Sequence, residues 1–446
     1  MPEGEVNLCL NGQTINGKIT IGSGATLTLT DCIGSGRVQG EVTVNGGKFE
    51  LYSGTITGGV QVGIKGSAYQ TGSSFTMYGG EITGNKAGSG GGVFLVGTTN
   101  QTDPPRFTMH GGTISDNTAG ASDGGGGVYV GEKCSFTMDG GAITGNKATA
   151  GNGGGIYIHF NAGTVSISNA TITGNKASAT GNTSYGHGGG IYSERGVTVE
   201  NVTITGNNST FEGGGIYGKG AITLTDATVT DNSQYDVYYD GRESNTPELT
   251  ISGSVKAGYY ANEAWKLPIL VSGALREDSV IRVGVREGIN LGAIAEPASG
   301  VTLSAENFKA DAADCVTSLG DDGKVYLVPC THEMDDTGYT CKKCHTQFDA
   351  RVGDSAYYQT LTKAFDAARG NTVTLLRDVT LAGNCSSSYT YSATLDLNGK
   401  TVSSERYYIS VGGGNKPRTL TVKDSGTGGG TQALDVTFYV SSNGTL

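Results

Sequence analysis

Residues 124–158 read GGGGVYVGEKCSFTMDGGAITGNKATAGNGGGIYI, and this stretch decides the fold. It holds three short apolar strands: VYV from Val128, FTM from Phe136 and AIT from Ala142. A Gly-Gly turn separates the second from the third, a Gly-Asn turn closes the third, and a Gly-rich excursion leads to the next such strand at Ile156. Alternation turns Val128, Val130, Phe136, Met138 and Ile143 inward, and leaves Tyr129 and Thr137 outside.

The stretch recurs on both sides of itself. The branched apolar residue of its xIxGN segment returns at Ile82, Ile114, Ile143, Ile172, Ile204 and Val229, in steps of 32, 29, 29, 32 and 25 residues. A repeat of this length, built from strands with no helical period, predicts an all-β solenoid: a triangular parallel β-helix. Asn85, Asn117, Asn146, Asn175, Asn207 and Asn232 fall at equivalent turns. Asn tolerates the left-handed conformation there, and its amide can bond the same residue one repeat on. Triple glycines before Val93, Val128, Ile156, Ile191 and Ile216 allow sharp turns where a Cβ would clash.

The tetrapeptides GGEI, GGTI and GGAI at Gly79, Gly111 and Gly140, each followed by a Gly-Asn or Asp-Asn turn, resemble the repeats of polymorphic outer-membrane proteins. They are also similar to repeats of large β-helix surface proteins of gut-type Gram-positive bacteria. The resemblance covers roughly residues 40–255, with a second trace after residue 350. It implies a right-handed, pectin-lyase-like helix on a bacterial surface protein. ITGN stands where the outer-membrane family has a phenylalanine-led half-motif, and no membrane barrel follows.

Four regions are expected along the 446 residues: a parallel β-helix over 1–255, a small β cap region over 256–329, a zinc-knuckle linker over 330–347, and over 348–446 the N-terminal part of a second β-helix. LDLNGKT at Leu395 matches LCLNGQT at Leu8, and TLTVKDSGTGG at Thr419 matches TLTLTDCIGSG at Thr26. Between linker and repeat, Tyr358, Leu361, Phe365 and Ala368 keep helical spacing up to Gly370, which predicts a capping helix. The formal charge of −11, with no run of Lys or Arg, argues against nucleic acid and anionic membranes as partners. No apolar run reaches the about 20 residues of a transmembrane segment. Both ends read as cut, so the chain is expected to be a fragment whose export signal and anchor lie outside it.

The sharpest chemical motif is Cys330-Thr-His332 followed by Cys341-Lys-Lys-Cys344. Three thiolates and an imidazole on two tight turns are the ligand set of structural zinc. A disulfide among these cysteines is the rival, but it leaves His332 idle and one thiol unpaired. His345 could replace a ligand only in poor geometry, beside Cys344. Cys9, Cys32, Cys134, Cys315 and Cys385 are scattered and read as isolated thiols.

Three outward columns bear on function. Phe94, Tyr129, Tyr157, Tyr192 and Tyr217 each follow an inward Val or Ile, which predicts an external aromatic stripe with hydroxyls facing water, able to bind glycans or simply to stabilise the stack. Tyr78, His110, Asp139, Ser168, Glu200 and Thr225 form a second column. There Asp139 and Glu200 sit two repeats, or about 9–10 Å, apart, the upper edge of an inverting glycosidase pair. A third column, Thr83, Ser115, Thr144, Thr173, Thr205 and Thr230, looks like an ice-binding face but suits any exposed strand. The reading is a non-enzymatic, adhesin-like protein, secreted or wall-attached, that displays a face to glycans or to host or microbial surface proteins. The alternative is a polysaccharide lyase or glycoside hydrolase using Asp139 and Glu200.

Overall fold

The computed structural model describes residues 3–64, 72–97, 102–179, 184–240, 249–261, 269–285, 292–311, 315–354, 356–386, 391–412, 417–426, 434–441 and 443–446. Parts of two long loops (98–101 and 180–183) and the end of the TLTVKDSGTGG match lie outside these. The chain forms two compact units, residues 1–312 with 317–328, and residues 313–316 with 329–446.

In the first unit the strands of the repeat pair in parallel with their counterparts one repeat on. Ser135–Met138 lies between Arg106–Met109 and Val165–Ser168. Ala142–Thr144 lies between Thr113–Ser115 and Thr171–Thr173, and Val128–Val130 between Val93–Leu95 and Ile156–Ile158. The result is a 14-stranded sheet and a 21-stranded sheet, the latter carrying two of the three ladders. This all-β, largely parallel stacking is compatible with a β-helix solenoid. In the core, Phe49, Phe75, Phe107 and Phe136 stack at centroid distances of 5.0, 4.7 and 5.0 Å. Burial of such side chains stabilises by about 1.5–3 kcal/mol each.

The asparagines form a second internal ladder. Asn117 donates through Nδ2 to Asn146 Oδ1 at 2.9 Å, and Asn146 donates likewise to Asn175 at 3.0 Å. The same Oδ1 atoms accept the backbone N–H of the preceding asparagine. The asparagines themselves are not left-handed, contrary to expectation. The positive φ falls one residue earlier, at Gly84 (71°), Asp116 (54°), Gly145 (66°), Gly174 (63°), Gly206 (65°) and Asp231 (58°). That residue makes the turn, which frees the Asn side chain to point inward. Buried Asp236 ends the ladder, accepting from Asn232 N and Nδ2 at 3.0 and 3.1 Å and from Arg282 Nη2 at 3.1 Å.

The region read as a cap begins as further repeats. Lys256–Ala261 pairs in parallel with Thr228–Thr230 and Val237–Tyr239. Val280–Val285 and then Phe308–Ala310 follow on the same sheet. Val325–Pro329 runs antiparallel to Ala293–Pro297. Without triple glycines or Gly-Asn turns, the sequence of these repeats hides their continuity.

Cys9 and Cys32 are joined as a disulfide with Cα atoms 6.4 Å apart, which corrects the reading of both as isolated thiols. Cys9 ends the strand Gly4–Cys9, which pairs with Ala25–Thr30 two residues before Cys32, a register the sequence did not reveal. Cys134 and Cys385 are buried, and burial pushes their thiols up to about 12 and about 11. Nearby, Asp31 accepts backbone N–H groups of Gly12 at 2.7 Å and Gly36 at 2.6 Å, which hold its carboxyl below the ordinary 3.8 against the opposing effect of burial. A lowered native value contributes stability above pH 3.8 that is lost as pH falls through the native value. Asp31→Asn should therefore shrink the acid-induced loss of stability in a pH series of melting temperatures, and an unchanged pH profile would refute the assignment.

In the second unit, Ala350–Val352 pairs antiparallel with Ala356–Tyr358 and Thr372–Leu375. Thr372–Leu375, Ala393–Asp396 and Arg418–Lys423 then stack in parallel. The expected helix spans Leu361–Ala368, capped by Thr360, whose hydroxyl accepts from Lys363 N, and buries Leu361, Ala364, Phe365 and Ala368. Left-handed Arg369 ends it one residue before Gly370.

Candidate metal cluster and tyrosine-lined cavity

The sulfur atoms of Cys330, Cys341 and Cys344 and a ring nitrogen of His332 all lie within 4.8 Å of one another. Cys330 Sγ is 3.7 Å from Cys341 Sγ, and Cys344 Sγ is 3.6 Å from His332 Nδ1. A tetrahedral zinc with ordinary bond lengths would set these edges at about 3.8 and 3.6 Å, so the four residues fit that ion. Local structure brings them together. Gly338, at φ 77°, reverses the chain, and antiparallel bridges Met334–Cys341 and Thr340–Gln347 align the two arms. The amides of Lys343 and Cys344 turn back to Cys341 Sγ at 3.4 and 3.5 Å.

Burial raises the Cys341 thiol, but the Cys344 amide, the His332 ring and the amides of Glu333 and Lys343 outweigh it, leaving a value of about 6. Burial, then Cys341 and Cys344, push Cys330 up to about 12. His332 packs edge-on against Phe348, with ring centroids 4.7 Å apart. His345 is exposed and outside the cluster, at φ 55°.

The aromatic column exists, and it is longer than the sequence suggested. Tyr129, Tyr157, Tyr192 and Tyr217 stack in order at 5.1, 5.1 and 5.2 Å, and Phe94 lies tilted against Tyr129 with centroids 5.1 Å apart. Tyr238 and Tyr260 continue it at 5.4 and 5.9 Å. Both lie past the last triple glycine, although Tyr238 follows an inward Val237 as the others do.

The stripe does not stand in water as expected: Tyr157, Tyr192 and Tyr217 are 6, 3 and 4 % exposed. Two causes act. Each ring face is covered by the next ring, and the Gly-rich excursion closes over the ring's root. A Cβ on Gly188 would lie 2.7 Å from Tyr192 Cβ, and one on Gly213 would lie 2.7 Å from Tyr217 Cβ. What remains for a ligand is the ring edges and the phenol oxygens.

Those oxygens meet charged side chains of the next repeat. Tyr157 donates to Glu194 Oε2 at 3.0 Å, and Tyr217 donates to Asp240 Oδ2 at 2.6 Å. Burial, reinforced by these carboxylates, raises both phenols well above their ordinary value, so they stay protonated donors. Tyr157→Phe should cost about 1–2 kcal/mol in urea unfolding, because it leaves a half-buried carboxylate short of a donor. A change near zero would show that water replaces the phenol freely.

Beside this seam lies a cavity of about 420 Å³. Tyr192, Tyr217 and Tyr238 form one side of its lining. His187 and Glu212 line it too, 3.0 Å apart, and the imidazole holds the Glu212 carboxyl below its ordinary value against burial. Lys219 and Asp240 complete the charged lining, two residues beyond Tyr217 and Tyr238. No motif marked this cavity: its polar groups come from loops and strand ends that only stacking brings together.

In the second column Asp139 sits against His110 Nδ1, at 2.7 and 2.9 Å, on the repeat before it. Glu200 pairs in register with Ser168. The column begins with exposed Tyr52 and Tyr78, stacked at 4.5 Å, and His110 stacks on Tyr78 at 5.1 Å. Threonine hydroxyls of the third column bond one another, as Thr144 and Thr173 do at 3.2 Å. No helix among the described residues is long and apolar enough to cross a membrane. No protein-family model matches the chain, and neither a curated protein nor a solved structure shows significant similarity to it.

Proposed function

We infer that the chain belongs to an extracellular, secreted or wall-attached bacterial surface protein of right-handed parallel β-helix fold. It acts as a non-enzymatic, adhesin-like binder of glycans on host or microbial surfaces. The observation that carries this reading is the cavity beside Tyr192, Tyr217 and Tyr238. At about 420 Å³ it falls within the roughly 300–1,000 Å³ of small-molecule sites, and it pairs aromatic edges with convergent polar groups. The Cys9–Cys32 disulfide supports an oxidising compartment.

Zinc at Cys330, His332, Cys341 and Cys344 is structural in this reading. Four protein ligands leave no position for a reacting water. The residues themselves order two turns that have few apolar side chains to bury.

A glycan-array screen run beside a reducing-sugar release assay tests the function. Binding without release supports it. Release of sugar that Asp139→Asn abolishes would replace it with a carbohydrate-active enzyme, and binding to no glycan would remove it.

A further inference from the structure

We propose that the cavity beside Tyr192, Tyr217 and Tyr238 takes an amine-bearing sugar, a hexosamine with a free ammonium group, and excludes uronic acids. The proposal rests on the glycan reading above and adds the chemical class of the sugar.

The charges of the lining carry it. Lys219 is already engaged: its Nζ lies 3.5 Å from Glu194 Oε1 and 5.5 Å from the centroid of the Tyr192 ring. His187 is engaged with Glu212 at 3.0 Å. Asp240 differs. Its carboxylate receives the neutral phenol of Tyr217 at 2.6 Å, and among the described residues no lysine, arginine or histidine forms an ion pair with it. Of the charged lining residues, Lys219 and His187 each face a carboxylate, whereas Asp240 faces no cation among the described residues.

A ligand ammonium would meet the Asp240 carboxylate in a charge-assisted hydrogen bond. A ligand carboxylate would meet Asp240 and Glu212, and among the described lining residues Lys219 and His187 are already committed to carboxylates. The neutral part of a sugar is served as well. The Lys219 ammonium, with three donors, can also donate to ring and hydroxyl oxygens. The apolar C–H edge of a sugar meets tyrosine rims, because the faces of Tyr192 and Tyr217 are stacked on each other. Recognition here is therefore polar and charge-selective, with little face stacking.

Calorimetric titration of the full chain at about pH 6, where a sugar amine holds its proton, tests this with four probes. These are oligomers of glucosamine, N-acetylglucosamine and galacturonate, together with oligolysine. Glucosamine oligomers should bind, galacturonate oligomers should not, and Asp240→Asn should weaken glucosamine binding about tenfold or more. Asn still accepts from the Tyr217 phenol, and the melting temperature of the variant checks its fold. Galacturonate binding as tight as glucosamine binding would overturn the proposal, as would glucosamine binding unchanged in Asp240→Asn. Oligolysine binding as tightly as glucosamine would overturn it by showing recognition of charge alone. Binding of N-acetylglucosamine without glucosamine sinks the amine inference and leaves the glycan reading standing. Binding of no sugar sinks both.

Discussion

Asn146→Leu is expected to destabilise the first unit by about 3–6 kcal/mol. Asn146 is fully buried and donates from Nδ2 to Ile114 O at 2.9 Å and to Asn175 Oδ1 at 3.0 Å. Its Oδ1 accepts both Asn117 N and Asn117 Nδ2, at 3.0 and 2.9 Å. Leucine has nearly the same volume but would leave a buried N–H and a buried carbonyl without this partner, at about 1–3 kcal/mol each, and would break the ladder for the next asparagine as well. Urea unfolding followed by circular dichroism measures the loss. Thr137→Ser, on an exposed position of the same repeat, should stay within about 0.5 kcal/mol. Equal stabilities for the two variants would show that the asparagine ladder does not hold the stack together.

The second large effect concerns the metal. Protein purified without added metal is expected to carry one zinc per chain by elemental analysis, and Cys341→Ser with Cys344→Ser should carry none. Structural zinc contributes about 10–16 kcal/mol in small zinc modules, far more than the buried contacts of residues 330–347 could replace. Amide exchange in this segment should therefore become fast in the variant, while exchange across residues 93–230 stays slow. A native disulfide from Cys330 to Cys341, or from Cys341 to Cys344, would end the zinc assignment, as would a metal-free protein whose segment remains protected.

What the sequence made legible was whatever the repeat writes at every turn. Phe136, Met138 and Ile143 sit in the core as alternation required, since a two-residue period leaves one choice of face once the neighbours are fixed. The Gly-Asn pairs marked the right corners. The roles within each pair were misassigned, because a left-handed Asn and a left-handed residue before it look alike in sequence. Cys9 and Cys32 were missed because 23 residues is no recognisable spacing until the first repeats are registered.

The cluster of Cys330, His332, Cys341 and Cys344 was readable because its ligands are close in sequence. The cavity was not, since His187, Lys219 and Asp240 meet only through three repeats of stacking. Alternation also says whether Tyr192 points away from the core. It does not say that a glycine-lined loop folds down beside the ring.

One measurement tests the central claim most directly: amide hydrogen exchange of the full chain, with and without the tightest glycan from the array. The account predicts slowing confined to residues 186–193, 211–219 and 237–240, the segments that build the tyrosine-lined cavity. Slowing at residues 108–110 and 137–139 instead, around His110 and Asp139, or in no segment at all, would contradict it.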